Sequence, residues 1–89
     1  MESKIIKLLG GKNETSCRCI KMKDLDKDVR KENEIDKDDT FGIYSFKGEV
    51  YVIFDFRTSD TSFSNFDKKV QKYILEKLES GDFVIDPKF

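Results

Sequence analysis

The chain has 89 residues, 39% of them charged and 37% hydrophobic, with a formal charge of −1 and no histidine. That size suits one domain, residues 1–89, built on one core, and the charge balance gives no bulk attraction to nucleic acid or an anionic membrane. Lack of histidine removes the commonest general base, the Ser–His and Cys–His nucleophile pairs and most zinc sites.

Residues 4–9 form a short apolar segment (Ile5, Ile6, Leu8, Leu9) that Gly10 and Gly11 punctuate. Its length predicts a strand buried on both faces rather than a helix. Residues 10–14 read as a turn. Over residues 16–23, Arg18, Ile20 and Met22 alternate with Cys17, Cys19, Lys21 and Lys23, which predicts a strand. A helix through Cys17, Ile20, Leu25 and Val29 is the alternative.

Residues 24–39 change character. They hold eight acidic and four basic residues, a local charge of −4, with only Leu25, Val29 and Ile35 apolar. Such a stretch is expected to bury little and to form a solvated loop or a short frayed helix.

Residues 41–57 alternate apolar side chains around Lys47 and Gly48, the pattern of a hairpin with a two-residue turn. Phe46 then faces Glu49, and the pairs run Tyr44–Tyr51, Ile43–Val52 and Phe41–Phe54. One face carries Phe41, Ile43, Val50, Val52, Phe54 and Phe56, with Ser45 near the turn, and is the expected core face. The other carries Tyr44, Phe46, Tyr51 and Ile53 with Glu49, Asp55 and Arg57. Residues 4–9 are the expected cover for this second face.

Residues 64–80 follow as an amphipathic helix. Ser64 and Asp67 suggest its cap, and Phe66, Val70, Tyr73, Ile74 and Leu78 form its apolar stripe. Gly81 stands where a left-handed terminator belongs, and residues 82–86 read as a last short strand before Pro87. The expected fold is α+β: a mainly antiparallel sheet of four to five strands with one long C-terminal helix on a face. A ferredoxin-like βαββαβ order is the alternative.

Chemistry-bearing motifs are few. Two cysteines one residue apart are too close for a relaxed disulfide, and on a strand they share a face. They read as two small half-buried apolar groups rather than a redox or soft-metal pair, so no cofactor and no metal are expected. Asp24, Asp26 and Asp28 begin like a calcium loop, but Val29 and Ile35 stand where that loop needs its glycine and bidentate glutamate. Residues 47–54 partly match the RNP1 pattern of RNA-recognition motifs through Lys47, Gly48, Tyr51, Val52 and Phe54. Glu49 occupies a stacking position, Val50 the small-residue position, and residues 4–9 lack the companion aromatic. Asp55 beside Arg57 reads as a surface ion pair, and Gly10–Gly11 has no phosphate-loop sequence after it.

No apolar run is long enough to span a membrane, and the first residues lack the pattern of a secretory signal, so a cytoplasmic protein is expected. By exclusion the expected function is a small non-catalytic protein-binding module, monomeric or homodimeric. It would act as an inhibitor of a partner or host enzyme, in the general manner of phage-encoded inhibitors of defence nucleases. The candidate partner-binding residues are Asp24, Asp26, Asp28, Glu32, Glu34, Asp36, Asp38 and Asp39 of the acidic stretch, with Tyr44, Phe46 and Tyr51 of the hairpin. The alternative is a divergent binder of RNA or single-stranded DNA that uses the aromatic face.

Overall fold

The computed structural model describes residues 1–54 and 60–86. In chain order its elements are α1 (Glu2–Leu9), β1 (Cys17–Lys21), α2 (Lys27–Glu32), β2 (Thr40–Phe46), β3 (Glu49–Phe54), β4 (Thr61–Ser62), a 3-10 turn (Phe63–Asn65), α3 (Lys68–Ser80) and β5 (Val84–Asp86).

The hairpin organises the rest. Lys47 and Gly48 both take left-handed backbone angles, φ 50° and 79°, which give the twist that a two-residue hairpin turn needs. The register follows from that turn: Phe46 opposite Glu49, Tyr44 opposite Tyr51, Ile43 opposite Val52 and Phe41 opposite Phe54. The predicted register therefore holds. Phe41, Ile43, Val50 and Val52 are all buried, on the face expected to be the core. The expected burial of the Phe54 and Phe56 side chains, and the Asp55–Arg57 pair, lie outside the described residues.

The strands are ordered β4-β3-β2-β1-β5, and every pairing is antiparallel. From β1 to β4 the chain is a meander, after which α3 carries it back across one face to set β5 against β1. The fold is α+β, with α3 as its long C-terminal helix. A ferredoxin-like arrangement splits its first two strands with a third. Here β1 and β2 are hydrogen-bonded neighbours, so that alternative gives way to the meander.

All the buried apolar residues of the three helices join one cluster with the core face. Ile5 and Leu9 come from α1, Val29 from α2, and Val70, Ile74 and Leu78 from α3. Fully burying such side chains stabilises by about 1.5–3 kcal/mol each. Phe63, wholly buried in the 3-10 turn, completes the layer, and the Phe41 and Phe66 rings meet at 5.7 Å.

Three expectations need correction. Residues 4–9 are not a strand but lie within helix α1, because Ile5 and Leu9 are one turn apart and share a stripe. Gly10 stops the helix, its N–H reaching the carbonyls of Ile6 and Lys7, while the Arg18 guanidinium donates to the Leu9 carbonyl at 2.8 Å. The long helix begins at Lys68, not Ser64: the Asp67 carboxylate takes the Lys69 N–H at 2.7 Å, and Gln71 holds the Phe66 carbonyl at 2.7 Å. Its end is as expected, with the Gly81 N–H returning to Leu78 and Lys77.

The third correction concerns how much residues 24–39 bury, since the short helix expected there as one alternative does form. Asp26 caps the short helix α2 by accepting from the Asp28 and Val29 N–H groups. Leu25, Val29 and Ile35, the only apolar residues there, are all buried in the core. Three anchors suffice to pin an otherwise charged segment. Among the described residues, no helix is long and apolar enough to cross a membrane.

Candidate functional site

A strand puts alternate side chains on opposite faces, so burying Phe41, Ile43 and Ser45 of β2 forces Tyr44 and Phe46 to the other side. The same rule sends Tyr51 and Ile53 of β3 there. No described helix packs on that face. Residues 4–9, its expected cover, lie in α1 and bury Ile5 and Leu9 in the core on the opposite side. The apolar stripe of so short a helix serves one surface only.

The tyrosines are cross-strand partners, and their rings stack at 5.4 Å between centroids with 23° between planes. Phe46, one step nearer the turn along that face, is 43% exposed and has the Lys47 ammonium 5.3 Å from its ring centre. The row through the tyrosines continues to both sheet edges. Ser62 of β4 pairs with Tyr51, while Cys17 of β1 lies beside Tyr44 and pairs with Asp86 of β5.

Two carboxylates hold the tyrosine hydroxyls. Tyr44 donates a hydrogen bond to Asp60, and Tyr51 donates to Glu49 at 2.8 Å. Both phenols are pushed above their ordinary value. For Tyr44 the first cause is burial and the second its bond to Asp60; for Tyr51 the first cause is the bond to Glu49. Burial, followed by the charges of Cys19, Asp60 and Asp86, pushes the Cys17 thiol up to about 11. A buried thiol held neutral is a poor nucleophile at ordinary pH. Cys17 and Cys19 share this face as the alternation predicted.

The acidic candidates lie elsewhere and mostly serve the fold. Asp26 is the α2 cap, Asp39 accepts the Asp36 N–H at 2.9 Å, and Asp24 pairs with Lys77 at 3.1 Å. Lys77 also binds Asp82 at 2.6 Å beside a cavity of about 490 Å³ that Cys19, Lys21 and Phe83 help to line. Asp28, Glu32, Glu34, Asp36 and Asp38 are exposed. The whole segment joins the Lys21 end of β1 to the Thr40 end of β2, whereas Phe46 stands at the turn end. Six residues of strand, about 20 Å, separate those two ends of β2. The fold thus brings Tyr44, Phe46 and Tyr51 together and leaves the acidic stretch apart from them.

Asp60 was missed as a site residue. It lies in a polar stretch that reads as loop, and its only signal is the two-residue strand that follows. Glu49 is on the predicted face, but its bond to Tyr51 two residues along the same strand is a side-chain choice that alternation does not specify. The chain matches no protein-family model, and no curated protein or solved structure is significantly similar to it.

Proposed function

We propose that this chain is a non-catalytic protein-binding module that docks a partner on the sheet face bearing Tyr44, Phe46 and Tyr51. The observation that carries this reading is the stacked tyrosine pair with exposed Phe46 beside it, on a face against which no described helix packs. Aromatic side chains with hydrogen-bonding tips are the residues that anchor protein interfaces, since they bring large contact area at little entropic cost. The nucleic-acid alternative would use the same rings but needs cations around them to meet phosphates. Lys47 lies against Phe46, but carboxylates hold both tyrosine hydroxyls, which favours the protein reading.

The test is affinity capture from nuclease-treated extract of the organism that encodes the chain, using the wild-type protein beside a Phe46→Ser/Tyr51→Ala variant. A protein retained by the wild type and lost from the variant is the expected result. Equal retention by both, or retention seen only when the nuclease treatment is omitted, would overturn the reading.

A further inference from the structure

The carboxylates on the open face say more about what it takes. Asp60 and Glu49 are the charged groups hydrogen-bonded to the stacked tyrosines, while the cations nearby lie to either side, Lys47 over Phe46 and Arg18 beside Cys17. Each carboxylate accepts one phenol hydrogen bond and has lone pairs left for further donors.

This charge selects among occupants. A second copy docked face to face about a twofold axis would gather two sets of Glu49 and Asp60 in one interface, and like charges gathered at an interface are costly. Single-stranded nucleic acid would bring phosphates to the same carboxylates. A basic protein segment meets both features at once. An arginine guanidinium is flat, stacks on aromatic rings, and offers five N–H donors suited to carboxylates.

We propose that the partner presents an arginine-bearing basic segment, and that its guanidinium is received by the Tyr44–Tyr51 pair together with Asp60 and Glu49. This rests on the reading of the open face as a protein-docking surface and specifies the chemistry of what docks. Phe46 then serves as the apolar contact at the turn end, beside the cation-binding row.

Amide chemical shifts of the isotope-labelled full chain test it, with a capped tri-arginine peptide as probe. Matched tri-lysine, glycine–leucine and oligo-dT probes are titrated in parallel. The arginine peptide should shift residues 44, 49, 51, 60 and 62, bind several-fold tighter than the lysine peptide, and weaken about tenfold with Glu49→Gln/Asp60→Asn. Both substitutions are at exposed positions, and the dispersion of the variant's spectrum checks its folding. Arginine peptide bound at residues 24–39 instead, or bound equally by the variant, overturns the inference. If only the glycine–leucine peptide shifts the open face, the cationic inference fails while the protein-docking reading stands. Shifts there with oligo-dT overturn both. Shifts at the open face that grow with protein concentration alone overturn the inference in favour of a second copy.

Discussion

The two faces of the hairpin are made by alternate residues of the same two strands, yet their fates differ. Phe41, Ile43, Val50 and Val52 lie under helices and are almost wholly excluded from water, whereas Tyr44, Tyr51 and Ile53 keep part of their surface accessible and Phe46 is exposed. Alternation decides which residues share a face but not which face is covered. Cover on the core face comes from helices, and all the described helices deliver their buried apolar side chains to that side. Among the described residues, the sheet therefore has one face packed under helices and one whose aromatic side chains keep part of their surface accessible.

The largest effect should separate those faces directly. Phe41→Ala removes a wholly buried ring and is expected to destabilise by about 3–5 kcal/mol in urea unfolding. Tyr44→Ala, three residues away on the same strand, removes a half-buried ring and its stacking, which contributes about 0.5–1.5 kcal/mol beyond area. Equal losses at the two positions would break the comparison and show that the open face is covered after all.

Next comes α1, where the sequence pattern predicts a strand and the chain forms a helix. Ile5→Ala should destabilise by about 2–5 kcal/mol, while Leu8→Ser, on the exposed side, should change stability by no more than about 0.5 kcal/mol. A strand covering the open face would instead make Leu8 matter. The difference has a physical origin. Six apolar-rich residues support either period, and what decides lies outside them: the stop at Gly10, the Arg18 guanidinium on the Leu9 carbonyl, and the core that takes Ile5 and Leu9 on one stripe. The hairpin was legible because turn chemistry and a seven-residue alternation agree on one register. The acidic stretch hid its anchors, since Leu25, Val29 and Ile35 do not stand out against eight carboxylates. At the site, the three aromatics were readable from alternation alone. Asp60 was not, because its placement follows from β4 pairing with Tyr51, and a two-residue strand has no period to detect.

Ser45 sharpens the contrast from the other side, as a polar residue on the core face. It is wholly buried, and its hydroxyl takes the Glu14 N–H at 3.0 Å while donating to the Gly11 carbonyl at 2.6 Å. With the Lys47 N–H donating to Asn13 Oδ1 at 2.8 Å, this docks the loop after α1 onto the turn end of the hairpin. Ser45→Ala should destabilise by about 1–3 kcal/mol, because a part-buried N–H and a carbonyl both lose their partner. Faster amide exchange at Gly11 and Glu14 should accompany it. Loss of stability without that local signature would mean that Ser45 acts through packing alone.

Cys17 is the place where the open face closes, and its effect is silent at neutral pH. It sits in the tyrosine row yet is only 3% exposed, and its thiol is raised to about 11, with burial as the first cause. An unfolded chain ionises this thiol near its ordinary value, about 8.5. Between the two values the unfolded state gives up a proton that the native state keeps, so stability falls as pH rises. The contribution is fully present below about pH 8.5 and is lost through about pH 11, beyond which the slope from this group levels off. Urea midpoints followed from pH 8 to 11 should therefore decline more steeply for the wild type than for Cys17→Ala. Cys19→Ala serves as the control for a neighbouring thiol. Parallel slopes for wild type and Cys17→Ala would mean that Cys17 ionises as readily in the folded protein as in the unfolded one. The open face would then extend without interruption from Ser62 across the tyrosines to β1.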